Sequence, residues 1–180
     1  EIEKILRVKK EEGKQIPFVV LENVKNLFTH DNKNTFKTIK EHIEALGYHF
    51  YADIFDKEYF GLAQKRNRVI MFATTHELPE GFDFSAKNIE KVFNELKSEF
   101  NSLYWQNSVL DVLDKKVDEK YYLSEKIKPT ILCDGTAGFK SNSKINMMIA
   151  RPLTATMHKM HRACQYNYYS QEFIDSKDPY

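Results

Sequence analysis

Residues that staple or break a chain are scarce here. Two cysteines, Cys133 and Cys164, in 180 residues make no disulfide framework, so a reducing cytoplasm is the expected compartment. Six glycines and five prolines leave no flexible or polyproline tract, and neither an internal repeat nor a low-complexity segment interrupts the chain. No apolar run reaches the length of a membrane span, and Glu1 opens no signal peptide, so no membrane partner is expected. Charge of one sign is also missing. The net charge of +1 excludes a globally basic nucleic-acid binder. With 42% hydrophobic residues, the chain can build a core of its own, which excludes disorder.

The charge that is present is uneven. From Lys126 to Arg162 the chain carries Lys126, Lys128, Lys140, Lys144, Arg151, Lys159 and Arg162 against Asp134. A local surface of this kind can hold phosphate without a basic protein around it.

Periodicity predicts the elements. Glu1 to Glu12 reads as a helix with Ile2, Ile5, Leu6 and Val8 as its apolar side and Gly13 as its stop. Phe18 to Leu21, β-branched and aromatic after Pro17, reads as a buried strand. If the sheet is parallel, the first helix is the back half of a crossover whose preceding strand lies upstream of this sequence. Asp31 to Asn34 is a polar turn; Phe36, Ile39, Ile43 and Leu46 then recur at helical spacing before Gly47. Tyr48 to Phe55 and Val69 to Ala73 are strand-like, and an antiparallel pair is expected around the loop from Asp56 to Arg68. Leu78 to Phe84 is a linker, and Ser85 can cap a helix bearing Ile89, Val92, Phe93, Leu96, Phe100 and Leu103. Ser108 with Asp111 has the spacing of a capping box. Beyond Tyr121 periodicity fades, and Asp134 to Lys144 is a long polar, basic loop.

Two stretches carry candidate chemistry. In the first, Phe18-Val19-Val20-Leu21-Glu22-Asn23-Val24, an acid and an amide arrive where the strand should end. Ligands of open α/β sheets bind at strand carboxyl ends, so the pair is either a turn or a functional carboxylate at the rim of a pocket. In the second, Gln64-Lys65-Arg66-Asn67-Arg68 runs into an apolar strand. Alternation along extended chain puts Arg66 and Arg68 on the same side. Such a pair is either a charge-protected strand edge or a site for a carboxylate, phosphate or base carbonyl, with Glu22 as a natural partner.

Leu-Glu-Asn-Val, then a helix, a hairpin and Gln-x-Arg-x-Arg before an apolar strand, resembles the DNA (cytosine-5) methyltransferases. The resemblance implies an α/β fold. Residues 1–76 would be the second half of the catalytic domain, with part of a Rossmann-like sheet made of a parallel strand, a helix and an antiparallel hairpin. Residues 77–180 would be a mixed, irregular target-recognition region. It implies that Glu22 meets ring N3 of a flipped cytosine as a thiolate adds at C6, with Asn23 fixing the turn. Arg66 and Arg68 would brace the catalytic loop and reach the base, and Gln64 would support the local backbone. The implied cofactor is S-adenosylmethionine, and the implied partners are duplex DNA, the missing N-terminal half and a cognate restriction endonuclease.

Two departures accompany the match: the sequence has no Pro-Cys dipeptide for the nucleophile, and no glycine-rich turn for the cofactor. Neither cysteine is therefore assigned as nucleophile, and the chain alone is expected to be inactive. A tRNA cytosine-5 methyltransferase and a non-catalytic DNA-binding module are the alternatives, the long region after Ala73 favouring DNA.

For DNA contacts the candidates are Thr130, Lys140, Lys144, Arg151, Thr154 and Thr156. Ile149 to Thr156 resembles either the family's Arg-x-Leu-Thr motif, which returns the chain from the recognition domain, or, more closely, the Pro-Thr-Leu-Thr-Ala pattern inside the recognition region, where small hydroxyl residues let the backbone approach DNA. His158, His161 and Cys164 share a helical side, but their spacing matches no common zinc signature and no metal is assigned. Tyr166, Tyr168 and Tyr169 either stack on bases or belong to the core.

Overall fold

A computed structural model describes residues 1–97, 99, 108–133, 143–155 and 163–176. The chain divides into two units, Glu1–Asp56 with Asn67–Asn101, and Lys57–Arg66 with Ser102–Tyr180.

In the first unit the order is α1 (Ile2–Glu11), β1 (Phe18–Val24), α2 (Asn34–Ala45), β2 (His49–Asp56), β3 (Asn67–Thr74) and α3 (Ala86–Lys97). The three strands form one sheet in the order β1-β3-β2. The expected β2–β3 pairing is present, antiparallel, with Phe50 opposite Ala73 and Phe55 opposite Arg68. β1 also pairs with β3, antiparallel, from Phe18 opposite Thr74 to Val24 opposite Arg68. The parallel strand expected from the sequence is thus parallel to β2 across an intervening β3, with α2 on the crossover between them. β3 takes the middle because Val69, Met71 and Ala73, at most 3% exposed, are the residues of the sheet best able to lose solvent on one whole face.

That face is the core. Val19 and Ala73 pack with Leu6 of α1 and Ile43, Leu46 and Tyr48 at the end of α2, while Val69 and Met71 pack with Leu27. α1 departs from expectation: Leu6 alone is buried, and Ile2, Ile5 and Val8 stand 50%, 55% and 41% exposed. Leu6 and Val8 lie about 200° apart at 3.6 residues per turn, so both cannot face one sheet. α1 and α2 are locked at one carbonyl, since Lys10 Nζ (2.7 Å) and Gln15 Nε2 (2.9 Å) both donate to Leu46 O at the C-terminus of α2. Gly47 follows with φ +89°, the left-handed turn that glycine adopts without strain.

On the opposite face, Phe82 and Phe84 lie against Tyr51, Phe55 and Phe72, and Asp53 Oδ2 accepts the Ala86 N–H (2.7 Å) at the start of α3. Ser85 Oγ accepts from the Asn88 N–H, as a capping serine should. Phe100 and Leu103, expected to extend α3, lie outside the described residues. The expected turn at Asp31 to Asn34 is tighter than a polar loop requires: Asp31, Asn32 and Lys33 all have positive φ, at 49°, 52° and 74°.

In the second unit Ser108 and Asp111 form the expected capping box around a 3-10 turn at Val109–Asp111. Two short helices follow, α4 (Lys128–Leu132) and α5 (Gln171–Asp175). Among the described residues no helix is long and apolar enough to cross a membrane.

Candidate active site

β1 does not end at Leu21. It continues through Glu22 and Asn23 to Val24, so the acid and the amide are strand residues on opposite faces. Glu22 shares its face with Val24, and Val24 is the register partner of Arg68. Glu22 and Arg68 are therefore diagonal neighbours across the ladder, within reach of long side chains. Arg68 Nε donates to Glu22 Oε1 at 2.6 Å, a charge-assisted bond. Arg68 Nη1 also donates to Asn67 O (2.8 Å), so the guanidinium is held from two directions.

The burial is uneven: the Arg68 side chain is 21% exposed and Glu22 54%. An ion pair with one open partner contributes no more than about 1 kcal/mol to stability. Its geometry is the more consequential property, because it orients a half-open carboxylate at the sheet rim. Asn23 Oδ1 accepts the Val24 N–H (2.8 Å). Glu22 and Asn23 border a cavity of about 360 Å³ that also reaches Leu21, Ile39, His42 and Met71. That is room for a small ring or a side chain at the end of β1.

The arginine motif is divided between the two units. Arg68 is a β3 residue, whereas Gln64 and Arg66 lie in the loop that belongs with the second unit. The alternation expected for Arg66 and Arg68 does not run along one strand, since β3 begins at Asn67. Gln64 forms a parallel bridge with Ala150: the Lys65 N–H donates to Ala150 O (3.0 Å) and the Ala150 N–H to Ala63 O (2.8 Å). Lys65 Nζ lies 3.7 Å from Glu58 Oε1 within the same loop.

Of the residues expected to contact DNA, Thr130 is exposed on α4, and Lys144 and Thr154 are exposed outside any helix or strand. Arg151 is partly buried, and its Nη1 donates to Lys144 O (3.2 Å) and Tyr166 O (3.4 Å). Lys140 and Thr156 lie outside the described residues, as do His158 and His161. Among the described residues no group of His, Cys, Asp and Glu is arranged to hold a metal ion. Tyr166 is buried, and burial raises the hydroxyl pKa of Tyr168 and Tyr169 above the ordinary tyrosine value. Tyr169 stacks on Phe173.

Sequence reasoning missed three side chains that organise these units: Asp53, Asn146 and Asn167. Each bonds to backbone far away in sequence, and such a bond leaves no local pattern.

The chain has a mixed α/β fold similar to that of a solved methyltransferase: the Entamoeba histolytica methyltransferase EhMeth matches over 92% of this chain and 42% of its own, with a TM-score of 0.56 at 16% identity. The chain belongs to the family described as C-5 cytosine-specific DNA methylase, which matches residues 1–178. It is similar to the type II methyltransferase M.BsuFI of Bacillus subtilis, 29% identical over 160 residues, covering 88% of this chain and 35% of the relative. It is also similar to M.HaeII of Haemophilus aegyptius, at 35% identity over 71% of this chain and 34% of the relative. M.SsoII of Shigella sonnei is 40% identical over 59% of this chain and 25% of its own length. The chain thus spans about a third or less of these relatives.

Proposed function

We propose that this chain is part of a bacterial DNA (cytosine-5) methyltransferase of a restriction-modification system, acting on a cytosine flipped from a specific duplex sequence. The observation that carries the reading is the 2.6 Å bond between Arg68 Nε and Glu22 Oε1 at the sheet rim of a family member. Cytosine resists nucleophilic addition at C6 because its ring is electron-rich. A carboxyl group hydrogen-bonded at N3 draws off the charge that builds up there as the bond forms. Arg68 occupies Oε1 and turns Oε2 toward the base; its own planar edge then serves the ring carbonyl or a backbone phosphate. Arg66 braces the catalytic loop, Gln64 supplies the backbone bridge of its own loop, and Asn23 fixes the end of β1.

The methyl donor of the family is S-adenosylmethionine. The residues described here do not fit a cradle for it, because β1 is followed by a 3-10 turn at Lys25–Phe28 rather than a glycine-rich loop. Donor and thiol nucleophile therefore come from the N-terminal half of the same enzyme, which pairs with the outer edge of β1. In this division residues 1–76 complete the catalytic domain and 77–180 read the target. Thr130, Lys144, Arg151 and Thr154, with Lys140 and Thr156 outside the described residues, are the candidates for contact with the DNA. A cytoplasmic enzyme paired with a cognate endonuclease is the setting in keeping with these roles.

The test is methylation mapping of DNA treated with the complete enzyme. Cytosine-5 marks at one short sequence, lost in Glu22→Gln, are expected; no marks from the complete wild-type enzyme would overturn the reading. The isolated 180-residue chain should transfer no methyl group, since it lacks both nucleophile motif and cofactor loop.

A further inference from the structure

The segment 144–151 ties the second unit together. Met148 O accepts the Val109 N–H (2.8 Å), and Ala150 bridges Gln64 through the two bonds described above. One residue on, Asn167 closes a ring on the backbone of Arg151: its Oδ1 accepts the Arg151 N–H (2.7 Å) and its Nδ2 donates to Arg151 O (2.9 Å). A carboxamide that accepts from and donates to one residue does the work of a neighbouring strand. Asn146 makes the reciprocal contact in the other direction, its Oδ1 accepting the Ser170 N–H (2.8 Å) and its Nδ2 donating to Ser170 Oγ (3.1 Å). The two carboxamides lace 146–151 to 167–170.

We infer that Asn167 is a positioning residue. By holding the backbone of Arg151 it holds Ala150 in register with Ala63 to Lys65, and so fixes the loop that carries Gln64 and Arg66. The choice of amide follows from the geometry. An ionised carboxylate would set a second oxygen against the Arg151 carbonyl, and an alanine would leave both backbone groups without their partner. The catalytic consequence rests on the methyltransferase reading; the clamp itself does not.

The experiment uses the complete enzyme and has two independent arms. In the first, hydrogen exchange is followed at the amides of Lys65 and Ala150. Asn167→Ala should speed both by about tenfold or more, the effect of losing roughly two ordinary hydrogen bonds. In the second, single-turnover methylation is measured at saturating DNA. Asn167→Ala and Asn167→Asp should both slow the chemical step at neutral pH with DNA affinity kept. The Asp variant should then recover toward the wild-type rate as pH falls, because a protonated carboxyl again donates to the Arg151 carbonyl. A general loss of packing would show no such recovery, so the pH profile separates positioning from stability. Unchanged exchange at Lys65 and Ala150 would overturn the clamp, and should Asn167→Ala fail to fold, the Asp variant is read in its place. Faster exchange with an unaltered single-turnover rate would overturn the positioning role. Complete absence of cytosine methylation by the wild-type enzyme would instead count against the proposed function, while the exchange arm still decides the clamp.

Discussion

Glu22 and Arg68 are legible in the sequence because each stands at the boundary of an apolar strand, where charge has no reason to be unless something uses it. What the sequence could not show is that they are diagonal partners across an antiparallel ladder, since that depends on β3 lying between β1 and β2. The pairing makes a kinetic prediction. Glu22→Gln should keep DNA affinity and lower the single-turnover rate of the complete enzyme by about a hundredfold or more. Arg68→Lys should rescue poorly beside Arg68→Ala, because an ammonium lacks the planar fork. The double change should cost less than the product of the two losses, as coupled groups behave as a unit. Strict additivity would show that the 2.6 Å contact is unrelated to the chemistry. A second prediction concerns Lys33, whose φ of 74° is unfavourable for a side chain with a Cβ. Lys33→Gly should raise the denaturation midpoint by an amount equivalent to about 1 kcal/mol, despite glycine's greater freedom in the unfolded chain.

Among the elements, α2, β2, β3 and the capping box are legible because hydrophobic period and end signals agree at each. α1 and β1 are legible as elements but not in their buried face or their end, since Leu6 alone is buried on α1 and β1 runs on to Val24. The short helices α4 and α5 are not legible. Five-residue helices carry little periodicity, and their stability comes from contacts such as the Asn146 bond to Ser170, the N-cap of α5. The sheet also sorts its valines sharply. Val69 is fully buried on β3, while Val20 on β1 is 66% exposed. Val69→Ala should destabilise the chain by about 2 kcal/mol, from lost transfer energy and the cavity left behind. Val20→Thr should stay within about 0.5 kcal/mol, as surface changes do. Chemical denaturation of the chain carrying each substitution checks the contrast. If the N-terminal half of the enzyme covers β1, the same Val20 change should become costly in the complete protein.

For the molecule as a whole, two partly buried tyrosines set an alkaline limit. Burial raises the pKa of Tyr168, with Tyr166 adding to it, and raises that of Tyr169 against the opposing charge of Arg151. An acid whose pKa is higher folded than unfolded keeps its proton longer in the native state. Stability is then complete below the ordinary tyrosine range near pH 10 and falls as pH climbs through it, because the unfolded chain releases protons first. Urea midpoints between pH 8 and pH 11 should fall in the wild type and flatten in the Tyr168→Phe, Tyr169→Phe double variant. Acidic denaturation should be unaffected by these changes.

The chain leaves its first unit after Asp56, returns at Asn67 and leaves again after Asn101. The ten residues spent on the first excursion include Gln64 and Arg66, and they are hydrogen-bonded to Ala150, far along the polypeptide. No single cut can then yield two self-sufficient pieces. Replacing everything after residue 101 with a foreign segment would leave loop 57–66 without its bridge to Ala150 unless the replacement supplies a backbone edge of the same kind.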